Sequence, residues 1–554
     1  MKTQAVSWMR GRAGRDAGMV AGVSRWRSRS RVLMAAAAGM VLAVGVFASP
    51  AAASASTPSI TLKPTSGPPT TKVSVTGSGF GISETVTVTE FGMSQSAVTS
   101  STGTFTAAFT VPNTAQPGKY PVTATGQTSH LSATAYFLVR TNWPQLRFGV
   151  TGTGYNPYEN VLTPSNVGNL KQAWQSSISN AYLSDSPPAA YNGVLYMGSG
   201  LAGTILDAFS PSTGALLWRG AALSGCCGAG PTTTPAVANG VAYIAGGDGN
   251  FYAFSTKVSS SRCSGTPKVC QPLWTAPIEG AGSVSQGSAT VSGGVVYVSA
   301  GYEFYAFSAG GCGAATCQPL WVTANDGCCD SPIGGDETPA IANGVVYGAG
   351  ADGIWAYSTS GVNCSGTPKV CQPLWHGSDG SGSAATGAVA VANGVAYASV
   401  NSGYGAIYAF SAGGCGAATC GPLWHYTSST PVGFSSPAVA GGKVYVNGND
   451  AVLRVFSTSG TPLWTAPAPD GYTGDGSAPA VADGVVYAGY RDDLEASSAS
   501  GTVNCSGTPL VCSPLWTLTG PNGFYGAWDA PVVANGVVYA LEANGTPFSA
   551  YKLP

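Results

Sequence analysis

Histidine is nearly missing. The 554 residues hold three, His130, His376 and His425, none close to another in the sequence. That leaves little for a histidine-based zinc enzyme. Charge is scarce as well. Asp, Glu, Lys and Arg make up 8% of the chain, which excludes a charge-rich disordered polymer and argues against an ordinary helical cytosolic protein. The chain has no G-x-S-x-G elbow, Walker loop, H-E-x-x-H or C-x-x-C-H haem site, so the commonest hydrolase, nucleotide and metalloprotease signatures are missing. Glycine is what the chain has in excess. Its 78 glycines follow no G-X-Y period, which excludes collagen and favours turn-dense β structure.

Basic residues cluster at the start. Residues 1–31 carry Lys2, Arg10, Arg12, Arg15, Arg25, Arg27, Arg29 and Arg31 against one acid, Asp16. An apolar run from Val32 to Ala48 follows, and then small residues through Ala51 to Ala55. Basic, apolar, then A-x-A is the order of a secretory signal peptide. Residues 1–55 are therefore expected to be cleaved near Ser54 or Ser56. Removing them from 23 basic and 24 acidic residues leaves 15 and 23, a net charge of −8. That charge gives no footprint for nucleic acid, and no later run is long enough to span a membrane. The mature protein is expected to be secreted or at the cell surface.

The 14 cysteines fit that destination. Five local pairs each precede a Pro-Leu-Trp: Cys263/Cys270, Cys312/Cys317, Cys364/Cys371, Cys415/Cys420 and Cys505/Cys512. In an exported chain they read as disulfides. The other four form two adjacent dyads, Cys226-Cys227 and Cys328-Cys329.

Residues 57–139 alternate with period two, as in Val73-Ser74-Val75-Thr76 and Thr85-Val86-Thr87-Val88-Thr89. About seven short strands with Gly and Pro turns predict an immunoglobulin-like sandwich. The wording Pro64-Thr65-Ser66-Gly67-Pro68-Pro69 followed by Thr76-Gly77-Ser78-Gly79-Phe80-Gly81 resembles the IPT/TIG-like modules of bacterial surface proteins. That resemblance implies a spacer or adhesion role.

Residues 141–554 repeat. Asn-Gly-Val-x-Tyr, with variants, ends at Tyr196, Tyr243, Tyr297, Tyr347, Tyr397, Tyr445, Tyr487 and Tyr539. A Pro-Ala-Val-like run commonly precedes it and a Tyr-Ala-Phe-Ser-like run follows. Trp174, Trp218, Trp274, Trp321, Trp375, Trp424, Trp464 and Trp516 mark the intervals. Each repeat supplies four strands, A to D, with Asn-Gly as the A–B hairpin turn. Four-stranded units at this period are propeller blades. The fold class is all-β, an eight-bladed β-propeller behind a small sandwich. Trp174 precedes the first A strand and the chain ends on a C strand, so the eighth blade must take its D strand from the start of the domain. That closure is expected to remove the exposed sheet edges.

The lead-in runs Trp143-Pro144, Tyr155-Asn156-Pro157, Leu162-Thr163-Pro164-Ser165-Asn166-Val167, Leu170 and Trp174. Together with blades ending in Trp, it resembles the eight-bladed propellers of the pyrroloquinoline quinone (PQQ) alcohol dehydrogenase-like superfamily. The resemblance implies the fold. It leaves two functions open, since the superfamily holds dehydrogenases and also non-enzymatic scaffolds of outer-membrane barrel assembly.

Chain order puts the D–A and B–C loops on one face, around the axial funnel, and the A–B and C–D loops on the other. Both dyads fall in D–A loops two blades apart. Quinoprotein alcohol dehydrogenases resemble this in carrying an adjacent-cysteine disulfide beside PQQ, which makes Cys226, Cys227, Cys328 and Cys329 cofactor candidates. Asp330, Asp336 and Glu337 cluster beside the second dyad and are candidate cation ligands. The first positions of the A strands, however, are Ser186, Thr233, Gly287, Glu337, Gly387, Ser435, Ser477 and Asp529. Two acids across a ring are few for calcium and a base together. Aromatic residues outside the repeat register, Phe434, Tyr472, Phe524, Tyr525 and Trp528, lie with Asp529 in D–A loops and suit a sugar or peptide. The reading is an exported, non-catalytic propeller binding an extracellular or envelope protein or glycan, with no cofactor. The rivals are a PQQ- and calcium-dependent dehydrogenase and a structural surface protein.

Overall fold

The computed structural model describes residues 57–176, 186–199, 203–223, 233–259, 261–278, 286–324, 338–350, 352–378, 380, 386–400, 404–468, 476–490, 493–519, 530–541 and 548–554. The expected leader lies outside them. Among the described residues the chain is strand and turn, with one 3-10 turn at Val167–Asn169. None of their helices is long and apolar enough to cross a membrane.

Eight antiparallel sheets follow one another from residue 189. The first holds A (Ala189–Tyr191), B (Val194–Gly198), C (Thr204–Phe209) and D (Leu216–Ala221). The A strands are neighbours in chain order, and the first lies beside the last, Val532–Ala534, so the sheets form a closed ring. Lys171–Gln175 pairs antiparallel with Ser549–Lys552 and gives the eighth blade its D strand. The fold is an eight-bladed β-propeller. Its A–B turns need two left-handed residues, and the Asn-Gly pairs supply them: Asn192 has φ 52° and Gly193 φ 75°.

Tyr of B and Trp of D pack within each blade. Tyr196–Trp218, Tyr243–Trp274, Tyr297–Trp321, Tyr347–Trp375 and Tyr397–Trp424 have ring centroids 5.9–6.2 Å apart. The indole then meets a glycine of the following blade. A Cβ at Gly214, Gly311, Gly414, Gly460 or Gly501 would lie 2.4–2.8 Å from an indole atom. Packing along and between blades therefore rests on the same Trp set that marks the repeat.

Strand exchange does not remove the sheet edges. Each blade still ends on an inner A edge and an outer D edge. The lead-in hides the inner ones. Residues 143–156 circle the axis, and their acceptors take the amide of the middle residue of one A strand after another. Ala190 donates to the Trp143 carbonyl, Val237 to Pro144, Ile341 to Val150, Val391 to Thr151, Val439 to Thr153 and Val481 to Gly154. Val291 donates to Gln145 Oε1 at 3.2 Å. The eighth blade is held through Asn156 Nδ2, which donates to the Val533 carbonyl at 2.8 Å. Each such amide, left unpaired and buried, would cost about 1–3 kcal/mol. Seven of them rival the whole stability of an ordinary domain, about 5–15 kcal/mol.

The sandwich packs a three-stranded sheet (Ser59–Lys63, Lys72–Ser78, Phe105–Thr110) on a five-stranded one (Ser66–Gly67, Ser132–Val139, Gly118–Gly126, Thr85–Glu90, Met93–Val98). The alternation sends Val73, Val75, Val86, Val88, Val122, Ala124 and Phe137 into one core. It touches the propeller through the lead-in and the A–B turns. Arg140 donates to Asn192 Oδ1, the Thr141 amide to Asn535 Oδ1, and Gln116 Nε2 to the Asn160 carbonyl. These contacts lie on the face opposite the D–A loops.

Two outcomes follow from this packing. Gly152 sits at φ 62°, and a Cβ there would be 2.5 Å from the Val389 carbonyl oxygen, whereas a Cβ on Gly149 would meet nothing within 4 Å. Gly152→Ala should destabilise the ring by about 1–3 kcal/mol and lower the calorimetric midpoint, while Gly149→Ala leaves it near wild type. In the sandwich, burial raises the Glu90 carboxyl to about 7, against a hydrogen bond from Gln95. An acid whose folded pKa is raised stabilises the fold only while protonated. That contribution is complete below pH 4.5 and is lost as pH rises through 7. Glu90→Gln should therefore gain in unfolding midpoint over wild type between pH 4.5 and 7, then keep a constant lead. An equal difference at pH 4 and pH 8 would contradict this.

Candidate functional site

The funnel has a closed floor in its described part. Arg147, 3% exposed and at φ 62°, lies across the axis. One of its terminal nitrogens donates to the Ala388 carbonyl at 3.3 Å and the other to Pro437. Trp143 stands edge-on to Phe148 with centroids 5.3 Å apart. Between Trp143, Leu146, Arg147, Pro187, Pro479 and Pro531 a void of about 10 Å³ is left, at the lower limit for one water. The chain doubles back here on glycines. A Cβ on Gly154, at φ 63°, would meet the Pro479 carbonyl oxygen at 2.8 Å.

Hydroxyls around the floor stitch blade to blade. Ser186 donates to the Thr233 carbonyl at 3.1 Å, Thr234 to Pro187 at 2.9 Å and Thr290 to Pro339 at 2.7 Å. Ser288 and Ser436 accept the amides of Thr234 and Ala388. Ser435 and Ser477 accept the amides of Asn447 and Gly489, closing A on B. These hydrogen bonds hold neighbouring strands and blades together around the floor.

One register position of the C strands carries polar or aromatic side chains: Asp207, Tyr252, Tyr305, Trp355, Tyr408, Arg454 and Glu495. Burial raises the Asp207 carboxyl to about 6, and Arg219, with Nε 3.3 Å from Oδ1, opposes the rise. That contact lacks hydrogen-bond alignment. Trp355 stacks on His376 with centroids 3.9 Å apart, and burial lowers the His376 imidazole. Sequence reasoning passed over this position because its residue type changes from blade to blade.

Of the expected site residues, Cys226, Cys227, Cys328, Cys329, Asp330, Asp336, Glu337, Tyr472, Phe524, Tyr525, Trp528 and Asp529 lie outside the described residues. Phe434 is described and corrects the expectation. It is 1% exposed, packed with Val432 and Tyr426 and lying under the Arg454 guanidinium at 5.4 Å. Its ring fills the boundary of blades five and six and is not offered to a partner. Its place in a D–A loop, outside the repeat register, had suggested otherwise.

The five local cysteine pairs are disulfides. They do more than tie their own C–D loops. Each loop crosses to the preceding blade and lays a segment parallel to its D strand. Val269 faces Arg219, Val370 faces Val322, Thr419 faces His376, Val511 faces Thr465, and Thr316 bridges to Thr275. The outer amides of Thr275, Val322, His376 and Thr465 donate to these segments.

Residues 166–299 and 372–504 match the family model described as outer membrane protein assembly factor BamB. The two stretches make a little under half of the chain and fall on its blades. No curated protein matches at a significant level. Among solved structures, the chain is similar to BamB from Moraxella catarrhalis, at 18% identity over 69% of this chain and 97% of that one, with a TM-score of 0.48. It is also similar to the computationally designed Ika8 protein, at 15% identity, 69% and 99% coverage and a TM-score of 0.48. The C-terminal WD40 domain of Sif2 aligns at 10% identity, 70% and 98% coverage and a TM-score of 0.49. The family match and the strand pairing together support a PQQ-like β-propeller.

Proposed function

We propose that this chain is an exported, non-catalytic scaffold propeller that binds a protein partner in the cell envelope or outside the cell through its funnel-face loops. The observation that carries the reading is the match of its blades to a family named for outer membrane protein assembly. The floor supports it. Arg147 and the surrounding hydroxyls are engaged in holding the ring, so recognition falls to the loops that the ring displays. The sandwich supports it too, because it contacts the opposite face. A rigid ring lowers the ordering cost of binding through loops. Export rests on the basic, apolar, A-x-A order of residues 1–55 and on five disulfides.

A photo-crosslinking residue placed at Tyr472 or Trp528 in the secreting cell tests the site. The expected result is one recurrent protein adduct at these positions and none at Ile82 on the sandwich. Replacing Cys226, Cys227, Cys328 and Cys329 with Ser should weaken that adduct. Protein purified with PQQ and calcium should show no quinone absorbance band and no dye-linked oxidation of ethanol or glucose. Oxidation that is lost in Asp330, Asp336 and Glu337 variants would establish the dehydrogenase instead. An intact Met1 on exported material would refute leader cleavage, and no adduct at any funnel position would leave a purely structural protein.

A further inference from the structure

Five of the eight outer D strands are covered by disulfide hairpins of the following blade. The other three differ. Trp516–Thr519, in blade seven, lies beside the 3-10 turn Val167–Asn169. Lys171–Gln175, in blade eight, has no cover among the described residues but carries a lysine and two glutamines, the kind of edge that repels added strands. Trp424–Thr427, in blade five, has no cover strand among the described residues, carries no carboxylate or ammonium, and is made of aromatic and β-branched residues. Its blade-six neighbour turns from C to D within Ser457–Thr461, too short to cross the boundary.

The missing hairpin leaves a slot. About 160 Å³ lies between Tyr426 on one side and Phe456, Pro462, Leu463, Pro509 and Leu510 on the other. Leu463, in its wall, is 36% exposed, and Leu423, just before the blade-five strand, is 60% exposed. By the register of the covered blades, the amides of His425 and Thr427 point outward, as those of Val322 and Ala324 do in blade three and those of His376 and Ser378 in blade four. In those two blades the outward amides donate to a cover strand.

We propose that this edge docks an extended segment of a partner protein, which adds as a strand parallel to Trp424–Thr427. The chain itself shows what such a segment looks like. At all five covered boundaries the residue facing the D-strand position just after the Trp is Val or Thr, followed by a cysteine that is buried in its own hairpin. The partner segment therefore places a β-branched residue opposite His425 and an apolar side chain against Tyr426 and Phe456. Backbone bonds supply affinity in such strand addition and the pockets supply specificity. A second copy of this chain fits less well. Two-fold related edges pair antiparallel, and the slot, walled by Pro462–Leu463 and Pro509–Leu510, admits one strand. The site lies on the rim, away from the funnel loops, and does not depend on them.

The probe is a labelled, disulfide-closed peptide of residues 262–272, the chain's own cover for blade one. It should bind the mature protein saturably and slow hydrogen exchange at His425 and Thr427. His425→Pro removes the outward donor and should weaken binding at least about tenfold. A second variant replaces residues 458–461 with residues 499–513, which supplies a cover from blade seven. It should keep the wild-type unfolding midpoint and lose the peptide. Binding unchanged in both variants, or protection confined to other strands, would overturn the proposal. So would self-association of the wild type that His425→Pro abolishes, since that assigns the edge to a second copy. Funnel cross-links that persist in His425→Pro would show that a failure here leaves the funnel reading standing.

Discussion

An unpaired strand edge is the constraint on which this architecture turns. A blade is a short sheet with two edges, and a ring of eight multiplies the exposure. A buried amide without a partner is costly, and an exposed one invites another strand. The inner edges meet at the axis, where water has little room. One irregular stretch, residues 143–156, answers all but one of the inner amides in turn and anchors the eighth blade by Asn156. Its conformation follows from that task. Carbonyls must point outward at successive blades, which forces left-handed backbone at Arg147, Phe148, Gly152 and Gly154. The closed funnel floor is thus a by-product of satisfying strand edges, and the site inherits its shape from that need.

The outer edges meet a different answer, and it accounts for the scarcity of charge. Many β proteins guard an edge with lysine or glutamate. Here the guard is mostly topological. Hairpins closed by Cys263–Cys270, Cys312–Cys317, Cys364–Cys371, Cys415–Cys420 and Cys505–Cys512 lie along the preceding blade. A disulfide restrains a short loop that buries little core of its own, so the hairpin keeps its form while it reaches across. A chain with 8% charged residues can then present long β rims without relying on repulsion.

The ring was legible because its rules are local. Asn-Gly turns, alternation and a recurring Trp each report on a few neighbouring residues, and their period counts the blades. Disulfide partners were legible for the same reason, being seven or five residues apart. What escaped was set by distant partners. Gln145 bonds to Val291 and Asn156 to Val533, and neither pairing leaves a period in the sequence. The cysteine spacing announces the disulfides but not the cover strands, whose parallel partner belongs to the blade before. Phe434 looked like a loop aromatic, yet its ring is packed among Val432, Tyr426 and Phe456 at the boundary of blades five and six.

The two kinds of blade boundary solve one packing problem in opposite ways. At the short turns, the indole N–H of Trp174 donates to the Pro211 carbonyl and that of Trp424 to Thr458, at 2.8 and 2.9 Å. The turn stays beside the ring and leaves the outer amides to solvent. At the hairpin boundary of blades six and seven, the loop leaves the turn to pair with Thr465, and the Trp464 N–H is buried without a partner. An unpaired buried indole N–H costs about 1–3 kcal/mol, whereas an amide facing water costs little. The boundary of blades six and seven therefore gives up a side-chain bond where it seals a strand edge. The short-turn boundary keeps that bond and leaves an edge free to act. Loop length between C and D, a property readable in the sequence, sets which of the two a boundary becomes.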